Sequence, residues 1–179
     1  MSSEAGFWIG AGVVAIMLLA AANQDSGKQI EKNTEHAAKK ADPASPEQLE
    51  AERITKLFEG DHYAESISAG SKLLFDLIRR KSGVSDKDTM ALIDCVFSPK
   101  KPILRFTRHD THDHLNTHDG YYFLLKGVSA AFRNPASHAS IQMTEGEARI
   151  QLQMIGYLYE LVDHHAARVP SEYVGAVNG

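Results

Sequence analysis

From residue 46 onward, apolar side chains recur at helical rather than strand spacing. Ser45 can cap a helix whose first position is Pro46 and whose apolar face takes in Leu49, Ile54, Leu57 and Phe58 before Gly60 ends it. After Asp61 a second stripe, Tyr63, Ile67, Leu74 and Ile78, is widened by Ala64, Leu73 and Leu77. Ser68, Gly70 and Ser71 suit that side only if another helix approaches closely there. Gly83 interrupts, and Ser-Asp-Lys-Asp from Ser85 predicts a helix capped at Ser85, with Asp88 at its third position, that carries Met90, Ile93, Val96 and Phe97. Residues 98–118 hold two prolines and no clean period, which predicts a long loop. Thr117 or Asp119 then starts a helix, DGYYFLLKGVSAAFR, whose apolar content places it through the middle of the core and which stops at the residue before Pro135. Thr144 to Glu147 spell a capping box, and Ile150, Met154, Leu158, Leu161 and Val162 mark a last helix ending at His164 and His165. No segment alternates as a strand, so the expected fold is all-α, an antiparallel bundle of four to five helices over residues 46–167.

The front of the chain follows a different pattern. Residues 7–22, FWIGAGVVAIMLLAAA, are uncharged and mostly apolar, somewhat shorter than the roughly 20 residues that span a bilayer. Only Glu4 precedes this run as a charge, whereas Lys28, Lys32, Lys39 and Lys40 follow it. That asymmetry favours an anchor in the inner membrane with the remainder in the cytoplasm over a cleaved secretion signal or a helix buried against a partner. The expected organisation is a hydrophobic segment over 1–24, a polar linker over 25–45, the helical domain over 46–167 and a flexible tail over 168–179.

Charge and cysteine usage narrow the function classes. A formal net charge of -4 lacks the broad positive field that non-specific duplex binding uses, so any nucleic-acid contact is local. The lone cysteine, Cys95, excludes an intramolecular disulfide, and its apolar neighbours predict a buried, inert thiol.

One short stretch stands out chemically. In RNPASH, Pro135 forces Asn134 out of helical geometry, so the chain turns just after Arg133, and His138 can fold back over the helix end. Arginine supplies a permanent charge and a planar fork for phosphate, histidine exchanges protons near neutral pH, and Asn134 adds a donor and an acceptor. These groups suffice for metal-free RNA cleavage, in which a ribose 2'-hydroxyl attacks the adjacent phosphate. Taken alone, the stretch more often marks a capped helix end with an exposed arginine.

Placed after FLLKGVSAAF and before a capped final helix, RNPASH resembles the arginine-to-histidine signature of the HEPN superfamily of helical ribonuclease domains. More closely, HYAESISAGSKLLFDLIRRKSG, then DTMALIDCVFSP, then a helix running into RNPASH resembles a Ymh-like, abortive-infection-like prokaryotic family, over roughly residues 48–165. The resemblance implies that Arg133 and His138 are the catalytic pair, that Asn134 is the polar residue beside the arginine and that Pro135 is the motif turn. It also implies a homodimer with a composite cleft, RNA as substrate, no cofactor, a cyclic phosphate product, and an antitoxin or other phage-defence protein as partner. A catalytically silent HEPN adaptor or dimerisation module is the alternative, since a fold does not itself establish chemistry.

Other polar groups carry weaker expectations. His112 and His114 with Asp110 or Asp113 could gather a metal, although their spacing matches no strong site signature and no metal is assigned. The same region could border an RNA cleft, with Lys100, Lys101, Arg105 and Arg108, beside His112 and His114, as contacts. At least one of Tyr121 and Tyr122 belongs to the core at this spacing. Arg79, Arg80 and Lys81, like His164 and His165, sit at helix ends where the dipole favours positive charge.

Overall fold

Ser45 begins the folded unit as its sequence predicts. Its hydroxyl accepts the Gln48 N–H at 3.2 Å, and the Gln48 side chain accepts the Ser45 N–H at 2.8 Å, a complete capping box with Pro46 at the first helical position. The computed structural model describes residues 45–108, 111–133 and 143–169. Along them run α1 (Pro46–Glu59), α2 (Tyr63–Ser82), α3 (Thr89–Phe97), β1 (Leu104–Arg105), α4 (His112–Val128), α5 (Glu145–Glu160) and β2 (Ala167–Arg168). Two π-helical turns extend this set, Ser129–Arg133 after α4 and Leu161–His165 after α5. The all-α expectation holds, with one two-residue antiparallel ladder added.

The core is organised around α2 and not, as its apolar content suggested, around the helix that leads to Arg133. α2 buries eleven residues and packs against α1, α3, α5 and both π turns, whereas α4 buries only His118, Leu125 and Val128. Gly70 explains part of this arrangement. A methyl group there would meet the Leu152 side chain at 3.2 Å and Ile155 at 3.6 Å, so its absence lets α5 lie close against α2. Ser71 is buried at the same contact region and Ser68 is exposed. Consecutive helices run antiparallel: Arg80 near the end of α2 reaches Glu47 at the start of α1, and Asp94 of α3 pairs with Tyr122 and Lys126 of α4. α2 and α5 are not consecutive and run the same way, with Gly70 facing Leu152 and Lys81 donating to the carbonyls of Val162 and Asp163.

Four helix details depart from expectation. Leu49 is 55% exposed and Ile150 59% exposed, so neither belongs to its helix's apolar face. Leu49 lies five positions from buried Ile54, about 140° around the helix, and Ile150 lies two positions from both buried Ala148 and Leu152, on the opposite side. α3 is capped by Asp88, whose carboxylate accepts the Ala91 N–H at 3.0 Å, and not by Ser85. Arg79 donates to the Lys87 carbonyl at 3.3 Å and ties that approach outside the helix. α4 starts at His112, capped by the Thr111 hydroxyl, which accepts the His114 N–H at 3.2 Å, so the expected loop over 98–118 is shorter and His112 to His118 are helical.

That early start turns His118 inward. Fully buried, it donates from Nε2 to the Phe97 carbonyl at 3.0 Å and accepts the Phe106 N–H at Nδ1 at 3.4 Å, joining α3, α4 and the β1 segment. Burial pushes its pKa below the ordinary value of 6.5, against the smaller opposing pull of the Phe97 carbonyl. Leu104 pairs with Arg168 and Arg105 with Ala167, while Val169 donates to the Ile103 carbonyl at 3.0 Å. Arg168 and Val169 therefore join the folded unit, just past the expected boundary at 167. Residues 7–22 and the linker lie outside the described residues, and among the described residues no helix is long and apolar enough to cross a membrane.

Candidate active site

α4 does not end as a regular helix. The Ser129 N–H reaches both the Leu125 and Lys126 carbonyls, and the chain then widens into a π turn, a departure that recurs at functional sites. Buried Ser129 and half-buried Phe132 hold the turn on the inner side, next to α2, while Ala130 and Ala131 stay exposed. Arg133 is the last residue of this turn, so its backbone stands at a helix terminus supported by packing. Asn134, Pro135 and His138 lie outside the described residues.

The cationic residues assigned to RNA contact lie elsewhere in the chain's fold. Lys100 and Lys101 are exposed on the link from α3 to β1, Arg105 is in β1 with its Nε shielded and without a partner, and Arg108 is exposed two residues further on from Phe106. His112 opens α4, and the carbonyl of His114 accepts the Thr107 hydroxyl at 2.7 Å. His112, at the start of α4, is about 25 Å from the end of that helix, whereas Lys101 shares a cleft with Asp94, which pairs with Lys126 in the last turn of α4. Asp110 lies outside the described residues, and among those described no group of three or more His, Cys, Asp or Glu side chains could hold a metal ion.

Two concave regions lie among the described residues, and Lys101 lines one of them. One, of about 550 Å³, is lined by Asp94, Cys95, Lys101, Ile103 and Arg168. Cys95 is only half-buried there, which corrects the buried-thiol expectation: its position on α3 faces the strand link and not α2. Asp94 is occupied, accepting Tyr122 at 2.6 Å and Lys126 at 2.7 Å, and the Lys126 hydrogen bond, then the Tyr122 one, hold its carboxyl below the usual carboxylate range. The second, of about 320 Å³, lies between the start of α4 and the end of α5 and includes Thr117, Tyr121, Tyr157, Glu160 and His165.

Sequence reasoning passed over this second region. The signal available was Glu160 and His164 at one-turn spacing; the structure pairs them at 2.7 Å. Tyr121 and Tyr122 are both half-buried and use their hydroxyls, Tyr122 toward Asp94 and Tyr121 toward Tyr157. Arg79, Arg80 and Lys81 all have partners within the fold, in keeping with a structural role at the end of α2.

A family model described as "Protein of unknown function (Hypoth_ymh)" matches residues 48–162, a span that contains α2 to α5 and the RNPASH stretch. Comparison with curated proteins and with solved structures gives no match.

Proposed function

The chain belongs to the Hypoth_Ymh family, and from that premise we propose that it is a metal-independent endoribonuclease of the HEPN type, acting as a toxin or phage-defence effector. The observation that carries this reading is the π turn that delivers Arg133 at the end of α4, inside the matched span and followed at once by Asn134, Pro135 and then His138.

In the proposed reaction a ribose 2'-hydroxyl loses its proton to an imidazole and attacks the adjacent phosphorus. The P–O5' bond breaks, the 5'-oxygen takes a proton, and a 2',3'-cyclic phosphate remains. Arg133 neutralises the charge that builds on the non-bridging oxygens, a contribution made in the transition state and therefore to the rate. Asn134 orients the phosphate or the nucleophile through its amide. One histidine serves poorly for both proton transfers, and a twofold-related subunit supplies the second copy of the motif. Phe123 and Ile150, 64% and 59% exposed on neighbouring helices α4 and α5, support such an association, because large apolar side chains in water favour a partner surface. An antitoxin or another defence-system protein would restrain the assembled site.

The test is cleavage of total RNA by the full chain in detergent, with and without EDTA, beside Arg133→Ala and His138→Ala proteins. Cleavage that persists in EDTA and falls by about 100-fold or more in both variants is expected, the scale of losing one proton-transfer or charge-stabilising group. Equal activity in all three proteins would end the catalytic reading. Absence of cleavage from wild type under every activating condition would leave the silent adaptor.

A further inference from the structure

The cleft of about 550 Å³ beside α3 lies where the described part of the chain stops, at Val169. Its lining combines Cys95, Pro102, Ile103 and Val169 with the charged Lys101 and Arg168, and its volume falls in the range of roughly 300–1,000 Å³ usual for ligand pockets. The one acid on the lining, Asp94, is already paired with Lys126 at 2.7 Å. Lys100 and Lys101 are both exposed, and neither has an ion-pair partner among the described residues. The cleft therefore offers an apolar wall beside two unpaired positive charges.

The short ladder fixes the heading of the chain at that point. Leu104 pairs with Arg168 and Arg105 with Ala167, Val169 donates to the Ile103 carbonyl at 3.0 Å, and the Arg168 guanidinium donates to the Ser82 carbonyl at 2.7 Å. Continued one step per residue, this antiparallel register sets Pro170 opposite Pro102, Ser171 opposite Lys101 and Glu172 opposite Lys100. Two facing prolines have no N–H to exchange, so the ladder ends at that step, but the heading it imposes on Val169 runs along the lining residues Pro102 and Lys101. At about 3.3 Å per residue, Glu172 is within about 10 Å of Val169, close enough to meet either lysine. Glu172 is the one charged residue in 170–179, and Tyr173, Val174 and Val177 supply apolar side chains. The segment thus matches the cleft in both charge and apolar character.

We propose that residues 171–177 of this chain dock in the cleft, with Glu172 paired to Lys100 and Lys101 and with Tyr173 and Val174 against Cys95, Pro102 and Ile103. Attachment at Val169, on the lining itself, gives the segment a local concentration in the millimolar range, so contacts too weak to hold a free peptide keep it docked. Burial of apolar surface drives the docking, and the ion pair sets its position. The Cys95 thiol, half-buried in the described fold, is covered as a result. The inference goes beyond the ribonuclease reading and does not depend on it.

Cys95 is the lone cysteine of the chain, so its reactivity reports on the cleft directly. The experiment is the rate at which N-ethylmaleimide, an uncharged reagent, alkylates the full chain in detergent, followed by intact mass. The double substitution Tyr173→Ser with Val174→Ser is expected to speed the reaction at least about tenfold, the scale of a wild-type open state populated at about 10% or less. Lys100→Glu with Lys101→Glu is expected to speed it by a smaller factor, and adding Glu172→Lys to slow it again. Thermal melts exclude exposure by unfolding, and the charge-reversal rescue is a second reading that a loss of fold would not produce. Equal rates in wild type and the tail variant, which would leave the cleft to a separate partner, would overturn the proposal. So would failure of Glu172→Lys to restore the slow rate, or protection that fades on dilution of the protein, which would assign the cleft to the tail of a second copy.

Discussion

His118 shows how one side chain can tie separate segments into one core. Its two ring nitrogens serve Phe97 of α3 and Phe106 beyond β1, and the bond that Nδ1 accepts from the Phe106 N–H requires the neutral ring. Because its folded pKa is depressed, its contribution is fully present above the ordinary value of 6.5 and is lost as pH falls through the folded value. Stability is therefore expected to decline on acidification below about pH 6.5, before most carboxylates titrate. His118→Leu is expected to cost about 2–4 kcal/mol at pH 7.5 by leaving two buried backbone groups unpaired, and to flatten the slope between pH 7 and 5.5. Chemical denaturation at several pH values measures both. A variant with unchanged slope would assign the acid sensitivity to other groups.

Packing between elements turns on Gly70. Glycine inside a helix gives up about 1 kcal/mol relative to alanine, so its use in the middle of α2 points to a steric demand. The α5 side chains Leu152 and Ile155 supply that demand. Gly70→Ala is expected to change stability by less than about 1 kcal/mol, since the gain in propensity offsets a contact a few tenths of an ångström too close. Gly70→Leu is expected to destabilise by about 1–3 kcal/mol or more by pushing α5 away. A thermal melt of the two variants discriminates them, and a well-tolerated leucine would show that the interface can repack. Gly83 works differently. At φ 75 it ends α2 in a left-handed conformation, and its N–H donates to the Arg79 carbonyl at 2.8 Å.

For the whole molecule, the question is what covers the outer faces of α4 and α5. The proposed dimer predicts a solution mass near twice the 19.7 kDa of the chain. Phe123→Asp and Ile150→Asp, both at exposed positions, are expected to shift it toward monomer with little effect on the melting of the domain. Light scattering after gel filtration in detergent provides the measurement. Monomeric wild type would remove the twofold source of a second histidine and count against the composite site.

Much of the fold was legible because its signals are local. Ser45 with Gln48 and Thr144 with Glu147 cap their helices through side chains three residues apart, and such a bond needs no knowledge of the rest of the chain. The broad stripe of α2 and the stop at Gly83 are similarly local. Phase was harder: periodicity admitted Leu49 and Ile150 to apolar faces, and only the position of neighbouring helices excluded them. Asp88, not Ser85, caps α3, with Arg79 of another element bonded to the preceding Lys87 carbonyl, and the buried role of His118 depends on Phe97 and Phe106. By itself the sequence determined the helical class, the caps, the order of helices and the chemical character of Arg133, Asn134 and His138. Tertiary structure decided that α2 occupies the centre, that the chain reaches Arg133 through a π turn, and that Tyr121, Tyr157 and Glu160 share a cleft. The division follows the range of the forces: hydrogen bonds within one helical turn are written in adjacent residues, whereas packing and enclosed clefts arise between segments that the chain brings together only on folding.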